Sequence, residues 1–321
     1  AAGIQAGSGD DTIVNDGVLT AATVSSSGTQ FTTAIDAGSG NDRVELGPSS
    51  LTKGNVLLGA GNDRLVWGAG ASLTGTVTPG TGFNSFALGG GVNGTLNLSG
   101  SGPIAGMNVF TAFNDFRKEG SSVWTLTGTR TMNWTVEGGT LAVSGTVNGT
   151  VATAAGIDAP KVTVNATGLI ASIGASPAVQ LQTGGTLLND GQIVGVAKAV
   201  ELSGMNGLVV NSGNITAAGI GIQSTGSQNV IINSGSITGG TVGVALGNGD
   251  SLTNTGTISS VTGLAVQGGA GNQSVTNSGV LTGGAGMAVD LGAGDDELTV
   301  AGCSLVQGGG PGGGGQHNTG P

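Results

Sequence analysis

Tyrosine is absent from the sequence, cysteine and histidine occur once each, and eight lysines and arginines are scattered among 321 residues. Each scarcity removes a class of protein. With Cys303 alone, no disulfide forms within the chain, so nothing covalent staples it. Sparse positive charge against 18 acidic residues, a net of -10, argues against a nucleic-acid partner. There is no apolar run of the roughly 18 residues that a membrane-spanning helix needs. Charged residues make up 8% of the chain and aromatic ones 3%, far from the usual globular mixture. The opening Ala1-Ala2-Gly3 carries no basic or apolar leader, which fits a mature chain whose signal peptide has been removed and fits a cytoplasmic protein equally.

Glycine is what the chain has in abundance, 68 residues of it, together with Val, Ile, Leu and Ala. A mean hydropathy of +0.23 means that enough apolar surface is present to bury, so the chain is read as folded rather than disordered. Self-similarity then organises it. The phrases Leu187-Leu188-Asn189-Asp190-Gly191-Gln192-Ile193, Val209-Val210-Asn211-Ser212-Gly213-Asn214-Ile215 and Ile231-Ile232-Asn233-Ser234-Gly235-Ser236-Ile237 recur in register. They return around Asn254 and Asn277, with the asparagines advancing by 22, 22, 21 and 23 residues. Ile13-Val14-Asn15-Asp16-Gly17-Val18-Leu19 repeats the phrase near the start.

In each phrase an aliphatic residue lies two before the Asn and a Gly two after it, which puts aliphatic and Asn on one face of a short strand ahead of a sharp turn. A second strand follows about eleven residues on, as in Ile220-Gly221-Ile222 and Val244-Ala245-Leu246. One such coil cannot bury its own apolar face, so coils must stack in parallel at about 4.8 Å. The fold expected is all-β, a right-handed parallel β-solenoid (β-helix) of roughly 22-residue coils. Asn15, Asn189, Asn211, Asn233, Asn254 and Asn277 are expected to form an internal structural ladder, because a buried amide left unpaired is costly.

Residues 106–145 carry a different signature: Phe110, Phe113, Phe116, Lys118 and Gly120, then Trp124-Thr125-Leu126-Thr127-Gly128, then Thr135-Val136-Glu137-Gly138-Gly139-Thr140-Leu141-Ala142-Val143-Ser144-Gly145. This stretch resembles the passenger-associated transport repeat of bacterial autotransporters. The resemblance implies a β-helix displayed at or beyond the outer membrane of a Gram-negative bacterium, secreted or on the cell surface. Two features depart from that family: half the chain follows the repeat, and no alternating, aromatic-girdled strands of a β-barrel appear after residue 305. The organisation expected is a continuous solenoid over 1–305, with Gly-rich acidic corners in 1–105, the transport-like repeat in 106–150 and regular coils in 151–305, then a Gly-rich tail, 306–321.

Gly7-Ser8-Gly9-Asp10-Asp11, Gly38-Ser39-Gly40-Asn41-Asp42, Gly59-Ala60-Gly61-Asn62-Asp63 and Gly292-Ala293-Gly294-Asp295-Asp296 resemble the calcium-binding nonapeptide of repeats-in-toxin proteins, where carboxylates and carbonyls offer hard oxygen ligands. Asp11, Asp42, Asp63 and Asp296 are therefore calcium candidates. Their spacing points the other way, since the first three lie 31 and 21 residues apart rather than in consecutive short repeats. Later coils place Gly207, Asn229, Asp250 and Gln273 at the same position, a set that suits a corner turn better than a ligand. The register favours corners, with no metal or other cofactor required.

Catalysis needs convergent groups, and the sequence offers few. The carboxylate pairs sit in turns, Asn114-Asp115 has no basic partner repeated above it, and His317 lies in the Gly-rich tail. No nucleophile elbow is present. Trp67, Trp124 and Trp134 read as core or cap residues of irregular coils rather than a carbohydrate platform, and the alternation Thr125, Thr127, Thr129, Thr131 is confined to one segment. Neither end offers a charged cap over its strand edges, which favours self-association. The function expected is a non-enzymatic structural subunit of an extracellular or cell-surface assembly, stacking head to tail into filaments. The alternatives are a monomeric autotransporter adhesin binding a host or surface ligand, and a calcium-binding module of the repeats-in-toxin type.

Overall fold

A computed structural model describes residues 2–25, 28–105, 107–155, 159–284, 286–302 and 304–308. Cys303, His317 and the tail from 309 onward lie outside the described residues. Apart from one short helix, Val109–Ala112, every element among the described residues is a β-strand. No helix among them is long and apolar enough to cross a membrane. The strands form parallel sheets stacked as a β-solenoid, as the repeat requires. They fall into two compact units, the first Ala1–Thr129 with Trp134–Leu141, the second Arg130–Asn133 with Ala142–Pro321.

Each regular coil has three strands, one more than the two that the sequence makes obvious. The coil that starts at Leu208 shows why: Leu208–Asn211 and Asn214–Ala217 are separate strands bent apart at Ser212-Gly213, and Ile220–Ser224 closes the turn. The repeated phrase therefore spans a corner rather than a single strand. Within the second unit, like lies over like. Leu187, Val209, Ile231, Leu252 and Val275 form one buried row, and Ile193, Ile215, Ile237, Ile258 and Leu281 form another. Val179, Val200, Ile222, Val244 and Val266 make the third. Each of these side chains contributes about 1.5–3 kcal/mol by leaving water, so three per coil supply the cohesion of an interior that has few aromatics to work with.

The first unit is stacked by the same rule but less regularly. Ile13, Val44, Leu65, Phe86 and Phe116 superpose through successive parallel strands. The first step is 31 residues long and the next is 21. The difference is the antiparallel hairpin of Ala22–Ser25 with Gly28–Phe31, which leaves the coil and returns to it. The Thr32 N–H bonds to the Ala21 carbonyl at 3.0 Å, closing the excursion. A second long step, from Phe86 to Phe116, carries the Val109–Ala112 helix, capped by Asn108, whose side chain accepts from the Phe110 N–H. The aromatics concentrate around this insertion, with Phe86 on Phe113 at 5.6 Å and Phe116 on Trp134 at 5.8 Å between ring centroids. Irregular coils thus recruit large side chains to fill space that the aliphatic rows fill elsewhere.

Coil corners set the demand for glycine. Gly38, Gly59 and Gly80 stack with φ of +103°, +102° and +82°, the left-handed region that L side chains avoid. A Cβ on any of them would collide with the carbonyl of the glycine one coil below, Gly7, Gly38 and Gly59 in turn. We expect Gly59→Ala to cost about 2 kcal/mol or more of unfolding free energy. Gly91→Ala, at a site where a Cβ meets nothing within 4 Å, should be near neutral; paired denaturant titrations measure both.

Candidate functional site

Polar side chains stack into ladders within each unit, and a charged cluster lies on the outer face of the first. The asparagine ladder belongs to the second unit. Asn189, Asn211, Asn233, Asn254 and Asn277 are fully buried and pair residue over residue through successive strands. Each Nδ2 donates to the Oδ1 of the next coil, at 2.6, 2.7, 2.7 and 2.8 Å from Asn189 upward. The same Nδ2 also reaches the carbonyl of its own corner glycine and a carbonyl one coil on, as Asn233 does with Gly235 and Thr257 at 3.2 Å each. Aliphatic residues close the ladder at both ends: Val164 lies below Asn189 and Val300 above Asn277. The buried Asn189 Oδ1 accordingly has no donor among the described residues.

Asn15 is not part of this ladder. The residue over it is Leu46, followed by Trp67 and Leu88, so apolar side chains fill the interior where the next amide would stand. Half-buried, Asn15 donates to Thr52 Oγ1 at 2.9 Å and accepts from the Gly17 N–H at 3.2 Å. The phrase at 13–19 is alike in local turn chemistry only.

The acidic corners form a second ladder, built from side chain to main chain. The Asp11 N–H donates to Asp42 Oδ1 at 2.8 Å, Asp42 to Asp63 at 2.9 Å, Asp63 to Asn84 at 2.7 Å and Asn84 to Asn114 at 2.9 Å. The residue before each runs the opposite way: the Asn41 N–H donates to Asp10 Oδ1 and the Asn62 N–H to Asn41 Oδ1. A separate ladder of the second unit leads into a different sheet, that of Leu208–Asn211, Val230–Asn233, Ser251–Asn254, Ser274–Asn277 and Glu297–Val300: the Gly207 N–H donates to Asn229, Asn229 to Asp250 and Gln273 to Asp296. Gly207 and Gln273 fit because a corner with only its N–H to satisfy does not require a carboxylate there. Of the four calcium candidates, Asp42, Asp63 and Asp296 each spend one oxygen on the main chain of the coil below. Among the described residues no group of three or more His, Cys, Asp or Glu side chains converges as a metal site.

Sequence reasoning missed the charged cluster of the first unit. Arg43 bridges Glu45 and Glu119, Arg64 bridges Glu119 and Glu137 at 3.0 and 2.8 Å, and Arg117 bridges Asp115 and Glu137. Period-two alternation was the available signal. Arg43 and Glu45 flank buried Val44, and Asp115, Arg117 and Glu119 occupy the outward positions around Phe116 and Lys118. The distance between coils in sequence hid their convergence. Glu137 shows the balance of forces: burial alone would raise its pKa, but the bonds from Arg64 and Arg117 outweigh burial and hold it below the usual value. A general acid needs the reverse.

Lys118 is fully buried and donates from Nζ to the carbonyls of Glu119, Gly120 and Gly138 at 2.6, 3.0 and 3.1 Å. It ties two coils together at a corner. Burial draws its pKa down to about 8, partly offset by the Glu119 carboxylate. Trp67, Trp124 and Trp134 are buried as well, with Trp124 Nε1 donating to the Gly89 carbonyl at 3.2 Å. Trp67 and Trp124 border a depression with Gly70, Asn93 and Thr125, and no titratable side chain lines it. No protein-family model, curated protein or solved structure matches the chain.

Two outcomes follow for stability. Asn233→Ala should lose about 2–4 kcal/mol, since it orphans groups on both neighbouring coils. Asn233→Asp should lose more, because a carboxylate has no hydrogen to offer Asn254, Gly235 and Thr257; urea unfolding compares them. For Lys118, the folded state releases its proton more readily than the unfolded chain, so unfolding free energy should rise with pH between about 8 and the free-lysine value of 10.5. Lys118→Met should abolish that rise, as read by denaturant titration at several pH values.

Proposed function

We propose that the chain is a non-enzymatic structural subunit of a cell-surface or extracellular assembly, in which copies join head to tail by setting the first corner of one copy's first-unit ladder on the last corner of another copy's second-unit ladder. The complementarity of the outermost corners carries this reading. In the coil of Gly292-Ala293-Gly294-Asp295-Asp296, no partner among the described residues meets the Asp296 N–H or the Asp295 carboxylate. In the coil of Gly7-Ser8-Gly9-Asp10-Asp11, the Asp10 N–H and Asp11 Oδ1 likewise meet no partner among the described residues. Setting the second corner on the first pairs the Asp296 N–H with Asp11 and the Asp10 N–H with Asp295. This repeats the bonds that Asp11 makes with Asp42 and Asn41 with Asp10 inside the first unit. It also brings Ile13 over Leu298, an apolar pair like those of the interior rows.

Other features support the reading. The carboxylates of Asp63, Asp296, Glu119 and Glu137 are engaged by main-chain N–H groups or guanidinium groups. Display outside a Gram-negative cell rests on the likeness of residues 106–145 to the autotransporter repeat.

Sedimentation velocity and negative-stain microscopy of the full chain test the proposal. Linear filaments that lengthen with protein concentration are expected. Salt should promote them, because the junction brings four carboxylates together. Asp11→Ala removes one junction acceptor and should weaken association about tenfold. Separate particles at every concentration would overturn the filament in favour of a monomeric adhesin.

A further inference from the structure

Three rungs of the first unit's corner ladder, Asp11, Asp42 and Asp63, hold a buried carboxylate oxygen that no donor among the described residues reaches, and Asp63 is the one whose next rung is an asparagine. Asp63 is 1% exposed. Its Oδ1 accepts the Asp42 N–H, but no donor among the described residues reaches its buried Oδ2. Asn84 holds the same rung one coil on, where it accepts the Asp63 N–H. There the inner atom of the side chain is Nδ2, and it donates to the Pro79 carbonyl at 3.0 Å. Asn229 does likewise in the second unit, giving Nδ2 to Ser224 Oγ at 3.0 Å and the Gly204 carbonyl at 3.2 Å. At these two rungs the inner wall presents acceptors, and the carboxamide meets it with N–H; at Asp250 the wall instead supplies a donor, the Gly247 N–H at 2.7 Å from Oδ2, which Asp63 lacks. The 21-residue register that carries Asn84 back to Asp63 carries Pro79 back to Leu58. A carboxylate at residue 63 sets an oxygen where a donor belongs.

We propose that Asp63 is a proton-binding site: in the folded unit its carboxyl is the neutral acid, donating O–H into the carbonyl-lined corner as the Asn84 carboxamide donates N–H. The electrostatics agree with this geometry. Burial raises the Asp63 pKa, the bond from the Asp42 N–H acts against it, and the Asp42 charge adds to the rise. The strands packed around the rung bring no compensating cation. Asn55–Leu57, Val77–Thr78 and Ser85–Gly89 hold no titratable residue, and Thr33–Ser39 holds only Asp36, half-buried between the inward Ile35 and Ala37. Arg43 and Arg64, each next in the chain to a corner Asp, turn outward to Glu45, Glu119 and Glu137.

The sign follows from linkage. A folded-state pKa above the unfolded value means that the folded unit holds the proton more tightly. This contribution to stability is complete below the free-Asp pKa of about 3.9 and is lost as pH rises through the raised folded value. The unit tightens in acid and loosens toward neutrality, below the range in which Lys118 titrates.

All three tryptophans lie in the first unit, so their fluorescence reports its melting in the full chain. Between about pH 4 and about pH 8 the wild-type Tm should fall. Asp63→Asn should flatten this dependence and raise Tm at the upper end by roughly 3 °C or more. Infrared spectra of the wild type need no variant to fold, and on acidification from neutral pH they should gain the carbonyl band of a protonated carboxylic acid while ordinary carboxylates are still ionised, above about pH 5. Absence of that band overturns the proposal, as do parallel Tm curves for the two proteins. A calcium-induced rise in Tm that Asp63→Asn removes would also overturn it, by making the rung a metal site.

Discussion

Parallel stacking puts every residue directly over its counterpart in the next coil, and this constraint governs the rest of the molecule. An aliphatic side chain satisfies it without effort, because Ile193 over Ile215 over Ile237 is packing of like on like. A polar side chain satisfies it only if it can bond to its own kind. The carboxamide does so because it holds donor and acceptor in one plane, which is why the interior row of the second unit is asparagine and neither aspartate nor serine. A carboxylate does so only where the main chain supplies the hydrogen, and the acidic residues accordingly gather at corners where an N–H of the coil below points at them. Stacked amides are more than the sum of their bonds, since each polarises the next in an environment without water.

The division of labour among residue types follows from the same geometry. Glycine occupies the corners because the left-handed backbone and the carbonyl one coil away leave no room for a Cβ at Gly38, Gly59 and Gly80. Charge is exiled to outward strand positions, where Arg43, Arg64 and Arg117 neutralise carboxylates brought in from distant coils. The corner residues Asp42, Asp63 and Asp250 are buried instead, and so is Lys118; three carbonyls take the place of water around the Lys118 ammonium.

Much of this was legible in the sequence because the repeat is itself the fold. The spacing of Asn189, Asn211, Asn233, Asn254 and Asn277 gave the coil length, the inward face and the ladder together. The same reasoning overreached at Asn15, where a local phrase was repeated but the neighbour above was Leu46; a ladder is a property of two coils, and one phrase cannot specify it. The third strand escaped notice because Ser212-Gly213 bends the chain without interrupting the alternation of buried and exposed residues. The ion-pair cluster escaped because Arg43 and Glu119 are 76 residues apart, a separation that only the irregular first coils convert into contact. The corner ladders were half visible: the acidic turns stood out, while the N–H groups that explain them belong to other coils.

The hairpin strands Ala22–Ser25 and Gly28–Phe31 depart from Ala21 and come back at Thr32, and the main-chain bond between those two residues leaves the coils on either side in register. Length variation at such a corner is therefore uncoupled from the architecture. A lineage, or an engineer, can lengthen, shorten or replace what projects from this point without renegotiating the interior, which makes the corner a socket for new loops on an otherwise invariant wall.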